Sequence, residues 1–361
     1  MYILSLSRVI WAISLLSLGL SVGCSRAPEA RSKMPPGKIV LTRAGATFPS
    51  ILYNHWIVAY HNRNPKVMIE YSPIGSGEGV RRFIGKNITE KESVDFGASD
   101  TAMSDTELVS ADNNALMIPV TASCVVLAYS IRGIKTDLKL SRRAYAGIFL
   151  GEIKQWNDPL IAESNPGVKL PDLTIATAVR LDSSGTTFAF TKHLDAISEK
   201  WRSQFGPGTL VRWPGNAKRA TGNQGVAGLI ANSDGAVGYV GFEFAEKMGL
   251  KTAALENREG RFVKPSLESC RAALALAELP ENLRVFAPDP KGPHSYPIAT
   301  YSWLLLRKKY KNPETATALR EFVQWSLRDG QGYAPEIGYI QLPVTVADKA
   351  QAAVNSIQAE D

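Results

Sequence analysis

From Lys38 onward, short runs of branched residues alternate with stretches of helical periodicity. Ile39–Leu41, Val67–Tyr71, Val94–Gly97, Cys124–Tyr129, Leu173–Val179 and Val237–Val240 read as strands with Gly-, Ser- or Asp-rich ends. Between them, Leu52, Trp56 and Tyr60 share one face of a helix running from Pro49 to Tyr60. Phe190, Leu194, Ile197 and Trp201 do the same from Phe188 to Trp201. Near the end, Asn312-Pro313 reads as the N-cap and first residue of a helix, with Leu319, Phe322 and Leu327 facing the core. Strand–helix alternation specifies an α/β architecture, because each helix has to bury its apolar face against a sheet. Hydrophobic residues make up 45% of the chain and charged residues 21%, which excludes disorder and coiled coils. With 361 residues, two or three domain-sized units can each bury a core.

The first segment stands outside this pattern. Val9 to Val22 is apolar and uncharged, but shorter than the ~20 residues a spanning helix needs. It fits the core of a secretory signal, with Ser21-Val22-Gly23 offering the small residues of a cleavage site. Cys24 follows at once. A Cys in that place resembles the bacterial lipoprotein signal, in which it is acylated. Ordinary cleavage with an unmodified Cys is the alternative, since Ser21 stands where that signal usually has Leu. Residues 1–23 are expected to be removed, leaving 24–37 as the lipid-anchor Cys and a polar, proline-bearing tether. Export permits a disulfide between Cys124 and Cys270, and two buried free thiols fit the sequence equally well.

Three small-residue loops feed helix starts: Ala44 to Pro49, Gly75 to Gly79 and Asp182 to Thr187. A helix N-terminus offers unpaired N–H donors and partial positive charge, which suits an anion. Plain N-capping explains any one such loop, because Ser, Thr and Gly are what helix starts use. The net charge of +7 adds little, since it admits a nucleic acid, an anionic surface or a small anion. Arg180 and Asp182 are more specific: a guanidinium can take two oxygens of an oxyanion while the carboxylate orients it. Asp100, at the end of Asp95-Phe96-Gly97-Ala98-Ser99-Asp100, is more specific still. An ionised carboxylate only accepts hydrogen bonds. It can hold an oxyanion that carries an OH and repels one that carries none, which separates phosphate from sulfate.

LTRAGATFP (41–49), YSPIGSGEGV (71–80), VDFGASD (94–100), IFLGEIKQWND (148–158), RLDSSGTTFAFT (180–191), VRWPG (211–215), GNQGV (222–226) and VGYV (237–240) occur in this order. Together they resemble the periplasmic phosphate-binding proteins of the phosphate ABC transporter, from about Lys38 to Pro343. The resemblance implies a two-lobed, type II-like periplasmic-binding-protein fold with the ligand cleft between lobes joined by two crossover strands. It implies a phosphate site made by Thr47, Phe48, Ser76 and Asp100 from lobe one and by Arg180, Ser184, Gly185 and Thr186 from lobe two. Crossings near Pro119–Ala122 and Gly292–Tyr296 make lobe one 38–120 plus 294–361, and lobe two 121–293. The implied partners are inorganic phosphate, arsenate as its mimic, and a membrane permease with its ATPase. The protein is expected to be a monomer, periplasmic or at the cell surface, touching membrane only through Cys24, with no cofactor or metal. Three departures stand out. Arg43 replaces a usual Gly and would change local charge or the cleft rim. Leu181 replaces a smaller residue and would change the pocket. The connection from Asn87 to Ser93 is slightly long. Gly222-Asn223 and Gly225 match the family without an assigned ligand role.

An exported phosphate-ester hydrolase is the rival from another class. His55, His61, His193 and His294 lie in no metal-ligand spacing, and no nucleophile elbow or P-loop occurs. Nucleic-acid binding is disfavoured by the lack of a recognition motif or dense basic tract. A phosphate sensor or scavenger without a permease shares every feature of the transport reading.

Overall fold

The computed structural model describes residues 37–275 and 280–360. The expected signal segment, Cys24 and the tether up to Pro36 lie outside the described residues. The elements that place the site are β1 (Ile39–Gly45), α1 (Ser50–Arg63), β2 (Val67–Pro73), α2 (Ser76–Ile84), β3 (Phe96–Ser99) and β4 (Ala115–Ser130). They continue with β5 (Ala176–Arg180), α3 (Gly185–Ile197), β6 (Lys218–Ala220), α4 (Gly222–Ala231), β7 (Ala236–Gly241), α5 (Leu267–Ala275), β8 (Ala299–Arg307) and α6 (Pro313–Leu327).

One sheet runs in the order β2-β1-β3-β8-β4-β7-β5-β6, with Lys251–Thr252 also paired to β4. Its flanks are parallel, β1 with β2 and β3 on one side and β5 with β6 and β7 on the other. Its centre is antiparallel: β3 to β8, β8 to β4, and β4 to β7. β4 is 16 residues long and changes partner midway. Ala115 to Cys124 lie in register with β8, whereas Val125 to Ser130 lie in register with β7. Cys124 therefore stands where the chain passes from one half of the sheet to the other. It is bonded to Cys270 on α5, with Cα atoms 5.6 Å apart. That decides between the two readings of the cysteines.

Several sequence expectations shift. The strand expected at Cys124–Tyr129 begins nine residues earlier, through Pro119, a residue that argues against a central strand. The register slips between Ser302 and Trp303, so Val120 has no partner on β8 and the proline sits at a bulge. The Val120 carbonyl accepts from Gln331 Nε2 instead (2.9 Å). β8 itself was not expected. It is buried on both faces except at its last residue, and a run such as Trp-Leu-Leu-Leu has no period of two to reveal it. The helix expected to reach Trp201 breaks at Ser198, whose hydroxyl accepts from the Trp201 N–H and caps a second helix, Glu199–Gln204. The strands expected at 94–97 and 173–179 settle at 96–99 and 176–180. Asn312 does cap α6, accepting from the Glu314 and Thr315 N–H groups. The apolar faces read from the sequence are interior: Leu52, Trp56, Tyr60, Phe190, Leu194, Leu319, Phe322 and Leu327 are all buried. The connection after Asn87 closes as one 3-10 turn, Glu90–Glu92, begun by a Thr89–Glu92 capping box.

Candidate functional site

Each parallel strand hands its carboxyl end to a helix start: β1 to α1, β2 to α2, β5 to α3 and β6 to α4. Ligands of open α/β sheets collect at such ends. The three loops noted in the sequence lie here. Gly45 ends β1 at φ +146°, and a Cβ there would come 2.0 Å from the Ala98 carbonyl oxygen. Only glycine lets the first loop lie against β3. Thr47 and Phe48 follow, and Ser50 closes the turn by donating to the Thr47 carbonyl (2.7 Å).

The structure brings all eight proposed residues into one buried region. Ser76 and Asp100 meet: the Asp100 N–H donates to Ser76 Oγ at 3.1 Å, and Ser76 Oγ donates to Asp100 Oδ2 at 3.3 Å. Gly185 comes against both. A Cβ at Gly185 would fall 2.6 Å from Asp100 Cβ and 2.7 Å from Ser76 Oγ. The second loop also donates across, from the Gly77 N–H to the Ser183 carbonyl (3.1 Å). Thr47, Thr186 and Arg180 are joined through Asn223. Its Nδ2 donates to Thr47 Oγ1 (3.0 Å) and Thr186 Oγ1 (3.1 Å), and Arg180 Nη1 donates to Thr186 Oγ1 (3.4 Å).

Capping also takes its share of these groups. Ser184 Oγ accepts from the Thr187 N–H (3.1 Å), and the Ser184 N–H donates to the Thr209 carbonyl (2.8 Å). The Ser184 hydroxyl proton remains free to donate. Phe48 has a buried ring edge-on to Tyr339, whose hydroxyl donates to the Phe48 carbonyl (2.6 Å). The ring packs in the core while the backbone serves the loop.

Arg180 is 3% exposed, and Asp182 takes its guanidinium in a two-point pair through Nε (2.8 Å) and Nη2. Burial works to raise Asp182, but the Arg180 pair and the Gly222 N–H outweigh it and hold the carboxyl below its usual range. Asp100 behaves oppositely. At 1% exposure, burial pushes it up to about 7, against hydrogen bonds from Ser302 and Ser76 and the charge of Arg180. Ser302 Oγ donates to Asp100 Oδ1 at 2.7 Å. Behind the site, burial likewise lifts Glu243 to about 8, with Ser123 Oγ donating to it (3.0 Å).

Sequence reasoning missed four participants. Asn223 was visible as a family match but given no role; its position at the start of α4, just past β6, was the available signal. Ser302 was hidden with β8. Glu243 and Tyr339 carried no local signal, since only tertiary packing brings them behind Phe48. The structure places two of the departures. Leu181 is 53% exposed, outside the buried region that the eight residues form. Arg43 is not on the rim but buried beneath the first loop. Among the described residues, no group of His, Cys, Asp and Glu is placed to hold a metal ion, and no helix is long and apolar enough to cross a membrane.

A family model described as a PBP superfamily domain matches residues 31–329. The phosphate-binding protein PstS of Pasteurella multocida is 38% identical over 315 residues, covering 86% of this chain and 89% of that protein. PstS of Methanocaldococcus jannaschii is 35% identical over 99% of this chain and 95% of its own. Among solved structures, a high-affinity periplasmic phosphate-binding protein bound with phosphate superposes with a TM-score of 0.74 at 23% identity, covering 87% of this chain and 93% of its own. A phosphate-binding protein from Stenotrophomonas maltophilia gives 0.71 at 22% identity, with the same coverage. At those identities the structures speak for the fold.

Proposed function

The chain belongs to the PBP superfamily and, within it, to the family of PstS phosphate-binding proteins, and on that premise we propose that it binds inorganic phosphate outside the cytoplasmic membrane for import by an ABC transporter. It is a binding protein, not an enzyme. The observation that carries the reading is Asp100, a buried carboxyl at the meeting point of the Ser76 and Gly185 loops, with hydroxyl donors already on both of its oxygens.

In this reading Thr47 and Phe48 offer backbone N–H groups, Thr47, Ser184 and Thr186 offer hydroxyls, and Ser76 turns its hydroxyl from Asp100 to the ligand when the OH of phosphate takes its place on the carboxylate. Gly185 offers its N–H at the start of α3. Arg180, held flat by Asp182, takes phosphate oxygens bidentately. Asp100 accepts the proton that phosphate carries near neutral pH. Sulfate brings no proton, so two negative groups would face each other in a closed, poorly solvated site. Lobe one is 38–120 plus 294–361 and lobe two is 121–293, with β4 as one of the two crossings. Cleavage after Gly23 and acylation of Cys24 would tether the protein to a membrane beside its permease and ATPase.

The test is calorimetry on ligand-stripped mature protein at neutral pH. Phosphate and arsenate are expected to bind, and sulfate to bind far more weakly. Equal affinity for phosphate and sulfate would remove Asp100 from the selectivity argument, and no phosphate binding would overturn the function.

A further inference from the structure

Two arginines are buried in the described chain near the first and third loops, Arg43 (2% exposed) and Arg180 (3%). Asp182 neutralises Arg180. Arg43 has no such partner. Its Nε, Nη1 and Nη2 make no hydrogen bond, and it forms no ion pair with any described carboxylate. Its guanidinium lies instead between aromatic faces, with Cζ 3.9 Å from the Tyr53 ring centroid, 4.0 Å from that of Tyr71 and 5.2 Å from that of Phe96. Tyr71 and Phe96 are the register partners of Arg43 on β2 and β3, so one row of side chains crosses three strands. Tyr53, from the first turn of α1, closes the cage. Burial works to lower the guanidinium pKa, yet arginine stays charged in proteins. Burial also pushes the Tyr53 and Tyr71 hydroxyls up, so neither becomes a counter-ion. A whole positive charge is locked indoors, where leaving it uncompensated is costly.

The cage stands directly behind the proposed anion loop. Tyr71 Oη donates to the carbonyl of Ala46, the residue before Thr47. Tyr53 lies in the helix turn that follows Phe48 and Pro49, its N–H donating to the Pro49 carbonyl (2.9 Å). Both tyrosines are electrostatically coupled to Asp100. With Arg180 paired to Asp182, a bound dianion beside Asp100 would meet only a partly offset positive charge from the loops themselves. We infer that Arg43 is the counter-charge of the anion site, a buried cation that strengthens phosphate binding through the aromatic wall without touching the ligand. This rests on the phosphate reading above.

Coulomb energy scales with ligand charge. Removing Arg43 therefore costs a dianion about the square of the factor it costs a monoanion. The groups around the cage are Tyr53 on α1, Tyr71 on β2 and Asp100 after β3. Asp100 in turn feels Arg180 and is coupled to Glu243. All of them are present in wild type and variant alike, so the ratio of their affinities at each pH reads the loss of Arg43 together with any change it causes in the protonation of Asp100. Phosphate affinity is measured by calorimetry at pH 5.5 and pH 8.5 for wild type, R43M and R43K, with melting curves to confirm folding. R43Q serves as the second neutral variant should R43M not fold. The neutral variant is expected to bind about tenfold more weakly at pH 5.5 and by a distinctly larger factor at pH 8.5. R43K is expected to stay close to wild type at both. Wild-type affinity in the neutral variant, an equal loss at both pH values, or an equal loss in R43K would each overturn the inference. A wild type that binds no phosphate at either pH would instead overturn the function it rests on.

Discussion

Asp100 and Glu243 are carboxyls kept from water, and burial pushes them up to about 7 and about 8. In the unfolded chain both titrate near the usual 4 to 4.5. Between the two ranges the native protein holds protons that the unfolded chain has released. Stability from these groups is therefore full at low pH and is lost as pH rises through their folded values. His193 acts in the opposite sense below about pH 6.5, because burial pulls it down to about 4. Glu78 and Glu92, drawn down to about 2 by Arg81 and by the Thr89 N–H respectively, act only in acid. The clean window runs from pH 6.5 to 8.5. Ligand-free protein is expected to melt lower at the top of that window, and E243Q, which stays neutral, is expected to lose part of the slope. A variant melting with the wild-type slope would mean that Glu243 is already ionised in the folded state. In the proposed site, a carboxyl titrating this near neutral pH gives up its own proton at little cost, as Asp100 must to accept the OH of phosphate.

At the scale of elements, the small-residue loops do two things at once. Ser184 caps α3 and still keeps a donor for a ligand. Gly45 and Gly185 are required by contact, since a Cβ at either would strike the opposing loop or strand. Strand β4 bears the other constraint, because it belongs to both halves of the sheet. The Cys124–Cys270 bond ties α5 to the point where β4 changes partner and spans 146 residues of sequence. Closing a loop of that length restricts the unfolded chain by about 5 kcal/mol in the chain-entropy account. Reduction, or the paired C124S and C270S changes, is expected to lower the melting temperature by several degrees while leaving phosphate binding measurable. Coincident melting of the oxidised and reduced protein would show that the bond does not constrain the unfolded state.

For the molecule as a whole, the proposed lobes would put Thr47, Ser76 and Asp100 on one side of the cleft and Arg180 to Thr186 on the other. A ligand that touches both sides favours the closed arrangement by the difference in its contacts. Solution scattering is expected to show a smaller radius of gyration with phosphate than without, and phosphate should raise the melting temperature in proportion to its excess over Kd. Identical scattering in both states would mean that the cleft does not open. Much of this was readable beforehand. Strand–helix alternation, the apolar faces of α1 and α6, and glycine- and serine-rich loops at helix starts are local signals, set by backbone sterics, periodicity and capping. Eight site residues could be proposed because the motifs that carry the family resemblance are contiguous in sequence. Other features had no local signature. β8 is hidden because a strand buried on both faces loses its alternation, and with it went Ser302. The Cys124–Cys270 pairing needed the Cα separation that only packing sets. Arg43 reads from sequence as a charge near a loop. Its meaning depends on three aromatic rings drawn from β2, β3 and α1, and a charge is felt according to what surrounds it in space. The sequence by itself determined the architecture and the chemistry of the loops. The tertiary structure alone decided which charges are paired, which carboxyls keep their protons and which groups stand behind the site, because burial and long-range contact are properties of the folded chain.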